Sequence, residues 1–257
     1  MTQAMKGKRI LLVWNGTKEE ATRVVEELQK DSHRVVYLVT NVKKEFPLPG
    51  VVVHIDDDAR IGIPASATPH DSFPPAGKKL LERLYKTESL VLTIMNRKVD
   101  SPERPMPLDE KKHLYYEVVR YWHGVFSLYK PELIIFPAVP HNVSNFVMYS
   151  LANLLGVPTT LFQETWVSDR IILQTRYAEE SVFLQEALAR NKGKAITLEE
   201  LAPDLKEYYK THANALKDST PFDVKVLAKQ YSGTNRLKLK LGAISRSILD
   251  FSLFGKI

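Results

Sequence analysis

KRILLVWNGTKEEATRVVEELQKDSHRVVYLVT, residues 8–40, is the stretch that decides the fold. Lys8–Trp14 is a short apolar run of Ile, Leu and Val, the composition of a buried strand. Asn15-Gly16-Thr17 reads as a turn and helix cap. Lys18–Lys30 carries Ala21, Val24, Val25 and Leu28 at helical spacing, and Arg34–Thr40 is apolar and β-branched again. Strand, helix and strand in this order predict parallel pairing through a right-handed crossover.

Working outward, Val51–Ile55 predicts a third strand, ending in Asp56-Asp57-Asp58. Residues 56–79 are rich in Pro, Gly, Ser and Ala and read as a long loop. Leu80–Tyr85 reads as a short helix and Ser89–Met95 as a strand. Pro107–Lys130 predicts the clearest helix, with Leu114, Tyr115, Val118, Val119, Trp122, Val125, Phe126 and Tyr129 in one stripe. Glu132–Ala138 is a buried strand, Val143–Leu155 a helix stopped by Gly156, and Val157–Phe162 a strand running into Gln163-Glu164. Ile171–Ala189 reads as helical, and Thr197-Leu-Glu-Glu200 resembles a capping box. The expected fold is α/β, a Rossmann-like parallel sheet flanked by helices with a helical C-terminal extension. Residues 1–175 form the Rossmann-like domain in this reading, and 176–257 the extension or a linker toward a further domain.

The 257 residues are 44% hydrophobic and 26% charged, enough to bury a full core. With no cysteine there is no disulfide framework, thiolate nucleophile or Cys-ligated metal. The first residues carry no signal-peptide pattern, and no run reaches the roughly 18 apolar residues of a membrane span. A cytoplasmic location is the expectation. The net charge of +6 favours anionic partners or a solvated basic surface.

In doubly wound sheets, ligands bind beyond the carboxyl ends of the strands. Three predicted strand ends carry polar clusters. Asn15, Gly16 and Thr17 can offer backbone N–H groups to a phosphate or sugar oxygen, or can form a plain cap. The dinucleotide and P-loop glycine patterns are absent. His141 can act as a general base toward a hydroxyl, with Asn142 capping the next helix. Glu164 can serve as base or grip hydroxyls; Asp169 and Arg170 can meet a substrate or pair with each other. Asp56-x-Asp58 raises a metal-dependent alternative, and the histidines show no zinc spacing.

Residues 130–173, KPELIIFPAVPHNVSNFVMYSLANLLGVPTTLFQETWVSDRIIL, resemble the N-terminal half of surface and capsular polysaccharide biosynthesis proteins of glycosyltransferase B-like arrangement. The shared features are a K-P-E-L strand, F-P-x-x-P-H, a helix with Y-x-L-A-x-x-L-G, then P-T, E-T and D-R. The likeness covers about residues 90–175. It implies two Rossmann-like domains, a nucleotide-sugar donor held between them, a glycan or lipid-linked glycan acceptor, no metal and no other cofactor. His141, Glu164, Asp169 and Arg170 match the pattern, His141 and Glu164 as catalytic groups. No second strand–helix series follows residue 175, so the expectation is a partial chain or a one-domain relative.

Two functions follow: glycosyl transfer, or a non-catalytic acceptor-binding or scaffold module acting with a partner chain. Nucleic acid is not an expected partner. The segment 225–256 carries seven Lys or Arg, and Arg236, Lys238, Lys240 and Arg246 interleave with Leu237, Leu239, Leu241, Ile244 and Ile248. As a helix it would rest on an anionic membrane surface, peripheral at the inner face, or pack on protein.

Overall fold

The computed structural model describes residues 7–42, 48–98, 106–165, 167, 170–177 and 181–213. The first half runs β1 (Arg9–Val13), α1 (Lys18–Lys30), β2 (Arg34–Thr40), β3 (Val52–Ile55), α2 (Asp56–Arg60), α3 (Lys78–Arg83), α4 (Tyr85–Lys98) and α5 (Leu108–Tyr129). The second continues with β4 (Leu133–Phe136), α6 (Val143–Leu155), β5 (Thr159–Glu164), β6 (Ile171–Gln174), α7 (Val182–Asn191) and α8 (Pro203–Ala213). The chain divides into two compact units, 1–193 and 194–257. The described part of the second is a 3₁₀ turn capped by Thr197 and Glu200, then α8.

The first unit is an α/β layer with a Rossmann-like six-stranded sheet in the order β3-β2-β1-β4-β5-β6. The β3–β2, β2–β1, β1–β4 and β4–β5 pairs are parallel. Alternation along the strands sends side chains to two faces. Ile10, Leu12, Leu133 and Ile135 meet Ala21 and Val25 of α1 on one face. Leu11, Val13, Ile134 and Phe136 meet the side chains of α4, α5 and α6 on the other. The crossovers after β1 and β4 therefore leave toward opposite faces, which makes the β1/β4 boundary the topological switch point.

Two expected elements are replaced. Ser89–Met95 lies within α4 rather than a strand. Its β-branched content suits a strand, but Val91 and Met95, one helical turn apart, are both fully buried against the helical layer. The Thr93 hydroxyl donates back to the Ser89 carbonyl, so its polar atom is absorbed by the helix itself (3.0 Å). Strand β4 pairs directly with β1, leaving no place for another strand between them.

Ile171–Ala189 is not one helix. Ile171–Gln174 is β6, which runs antiparallel to β5 with Glu164 opposite Ile171, so the expected parallel sheet ends in an antiparallel edge. Beyond the paired residues, Thr165 N–H donates to the Arg170 carbonyl at 3.1 Å, and Arg170 N–H to that of Val167 at 3.2 Å. Residues 56–79, expected as one loop, contain α2, a 3₁₀ turn at His70–Ser72 and the start of α3. The expected stops do hold. Helix α5 ends on Lys130 at φ 46 before Pro131, and α6 on Gly156 at φ 72.

Candidate functional site at the sheet switch point

The carboxyl ends of β1, β4 and β5 lie on one edge of the sheet. Register sets their heights: Leu12 is level with Ile135, and Phe136 with Leu161. Asn15 therefore stands two residues beyond the level at which β4 ends, and Glu164 three residues, roughly 10 Å of extended chain. Strands β1 and β5 flank β4 from either side, two interstrand spacings apart, also roughly 10 Å. The connection 137–142 that carries His141 leaves β4 between them.

His141 is exposed, and its Nδ1 is 2.9 Å from the Val139 carbonyl oxygen. A carbonyl can only accept, so Nδ1 carries the proton in the neutral ring. Nε2 then keeps its lone pair, the form a general base needs.

Asn142 is buried and caps α6, its Oδ1 accepting from Asn145 N–H at 2.8 Å. Ser144, fully buried, accepts from Trp122 Nε1 at 3.0 Å, which ties the first turn of α6 to α5. The N–H groups of Val143 and Ser144 precede any intrahelical acceptor. No acidic residue occupies this first turn. Buried Asn145 leaves its Oδ1 without a hydrogen-bond partner.

The turn after β1 is built differently. Gly16 N–H donates to Asn41 Oδ1 at 2.9 Å, and Thr17 N–H to Glu20 Oε2 at 2.7 Å. Glu20 N–H returns a bond to Thr17 Oγ1 at 3.2 Å, completing a capping box. A Cβ on Gly16 would lie 2.5 Å from Glu20 Oε2, so glycine lets the carboxylate fold over the helix end. The N–H groups of Gly16 and Thr17 are thus engaged by the protein's own side chains, and Glu19 and Glu20 place negative charge where a phosphate would arrive.

Glu164 is exposed at the end of β5. Arg170 is exposed and directly precedes β6. Asp169 and the basic segment 225–257 lie outside the described residues. Asp56 is buried and paired with Arg60 one turn along α2. Among the described residues, no three His, Asp or Glu side chains are grouped to hold a metal, and no helix is long and apolar enough to cross a membrane.

Sequence reasoning missed Asn41, Glu20, Ser144 and Asn145. Asn41 follows the end of β2, so the strand-end rule that picked His141 applies to it equally. The Thr17-x-x-Glu20 spacing is itself a capping-box signature. The contacts of Ser144 and Asn145 depend on how α5 and α6 pack, which local sequence does not encode. Comparisons with known protein families, with characterised proteins and with solved structures return no match to this chain.

Proposed function

We propose that this chain takes part in glycosyl transfer for surface or capsular polysaccharide assembly, moving a sugar from a nucleotide-sugar donor to a glycan hydroxyl. The observation that carries the reading is His141, held with Nδ1 protonated beside the β1/β4 switch point. An acceptor hydroxyl oxygen forms the new bond to the anomeric carbon, the bond from that carbon to the diphosphate oxygen breaks, and Nε2 of His141 takes the hydroxyl proton. The leaving diphosphate gains negative charge, and α6, with no acidic residue in its first turn, sets the positive end of its dipole on that side. Glu164, on the neighbouring strand, orients acceptor hydroxyls.

The test uses water as the surrogate acceptor. The chain is incubated with a panel of uridine, guanosine and cytidine nucleotide sugars, and nucleotide release is followed by chromatography. Wild type should release nucleotide from at least one donor, and His141→Gln should lower the rate by roughly 10²-fold, the scale of losing a general base. Absence of both release and binding across the panel would reject the transferase reading.

A further inference from the structure

The two edges of the sheet are finished differently. At one edge, β3 leaves no side chain exposed. At the other, β6 exposes Ile171 and Leu173 at 57% and 52%. Two positions apart, they share one face. The strand IILQ contains no charge and no proline, the usual guards of an open edge. Exposed apolar side chains continue along the chain that follows: Tyr177, Val182, Phe183 and Leu188 are open to solvent, and α7 buries no residue. This is apolar surface concentrated on one stretch of chain, unlike the scattered exposure of an ordinary surface.

Backbone hydrogen bonds set which groups β6 turns outward. Ile134 N–H donates to the Pro158 carbonyl at 3.0 Å, so even-numbered residues of β5 bond to β4 and odd-numbered ones face β6. Thr165 is odd-numbered, and its N–H donates to the Arg170 carbonyl, the next position of the β5–β6 register. In the same alternation Gln163 is bonded to Ile172 and Leu161 to Gln174. Ile171 and Leu173 fall between these pairs, so their N–H and C=O groups point away from β5.

Those outward groups match themselves. A two-fold axis perpendicular to the sheet, midway between two Ile172 residues, sets a second copy of β6 antiparallel to the first. Ile171 then stands opposite Leu173 of the second copy, and Leu173 opposite its Ile171. Every outward N–H and C=O of both strands finds a partner in this register. A shift by two residues in either direction leaves part of them unpaired. The operation also keeps the two faces of the sheet aligned, so the exposed Ile171 and Leu173 side chains meet their counterparts across the junction.

We propose that β6 pairs with β6 of a second copy of this chain, joining two six-stranded sheets into one. The pairing reverses strand direction, so the carboxyl ends of β1 and β4 in the two copies lie on opposite edges of the joined sheet, and the two His141 sites stay separate. The proposal is independent of the transferase reading. Sedimentation of the full chain over a concentration series should show its mass rising toward that of a dimer. Leu173→Pro removes an N–H that points away from β5, so the β5–β6 bonds survive. Leu173→Lys keeps the N–H and adds an edge charge. Each should weaken the dimer about tenfold, the worth of a lost hydrogen bond or a buried charge, with unchanged circular dichroism. The chain has no cysteine, so an introduced thiol reports one position. Ile172→Cys stands at the axis, where facing Cα atoms are about 4.5 Å apart and within disulfide reach. It should cross-link to its copy under mild oxidation, whereas Glu26→Cys, exposed on α1, should not. A wild type that stays monomeric throughout the series, either Leu173 variant dimerising as tightly as wild type, or equal cross-linking at positions 172 and 26 would each overturn the proposal.

Discussion

Two helices, α1 and α6, start on the same edge of the same sheet, one on each side of the switch point, and their first turns are built in opposite ways. Helix α1 closes its own end: the Glu20 carboxylate takes Thr17 N–H, Asn41 takes Gly16 N–H, and Glu19 adds a second negative charge. Helix α6 has an uncharged cap in Asn142, no acid in its first turn and His141 directly ahead of it. Position at a strand's carboxyl end therefore does not make a helix start into an anion site. The assignment of its N–H groups and the charges of its first turn decide: α1 is closed by its own side chains, and α6 carries no opposing carboxylate.

The largest expected effect separates the two sides by rate. His141→Gln should cost roughly 10²-fold in nucleotide release, whereas Asn15→Ala should leave the rate within about threefold, since a surface change away from a transition-state contact costs little. A large loss from Asn15→Ala, measured with folding intact, would move the site toward β1.

A second contrast sets His141 against His54. His141 is exposed with one nitrogen engaged; His54 is buried with both engaged, and burial holds its pKa below the ordinary histidine range. The nearby charges of Asp58 and Asp56 and the bond to Ile63 oppose that shift without cancelling it. Between the folded pKa and about 6.5 the unfolded chain binds the extra proton, so stability rises with pH there. It is complete above about 6.5 and falls as the solution is acidified below that value. Urea midpoints at pH 7 and pH 5 check this; His54→Gln should flatten the dependence, and an unchanged slope in that variant would place the acid sensitivity elsewhere.

The caps provide the next test. Thr17→Ala and Asn142→Ala should each destabilise by about 1 kcal/mol, the usual worth of an N-cap, read as a lowered melting temperature. The account separates them by ligand: Asn142→Ala should also weaken nucleotide diphosphate binding, and Thr17→Ala should not. The smallest expected effect is that of Glu20→Gln. Its stability cost should be about 0.5 kcal/mol, with diphosphate affinity unchanged within a factor of about two, since Glu20 caps α1 and not α6. A tenfold rise in affinity would mean that α1 shares the site.

Much of this arrangement is legible in the chain. β1, β2, α1, α5 and α6 follow from hydrophobic period and stop residues, because each buries one continuous face. The stretch Ser89–Met95 misleads because Leu, Val and Ile suit both a strand and a helix buried on one side, and no Gly or Pro marks the difference. β6 hides for a related reason: IILQ is four residues long and runs on toward the apolar residues of α7. At the site, His141 is readable as a strand-end residue, and Thr17 with Glu20 as a capping box. That Nδ1 of His141 meets the Val139 carbonyl, or that Asn41 reaches Gly16 across from β2, depends on backbone paths set by tertiary packing.

The most direct test of the central claim is a titration of the wild-type chain with uridine and guanosine diphosphates, read at each backbone amide by NMR. The account predicts saturable shifts for at least one nucleotide, concentrated at His141, Val143 and Ser144, with Thr17 and Glu20 unmoved. Shifts centred on Thr17 to Glu20, or none with either nucleotide, would contradict it.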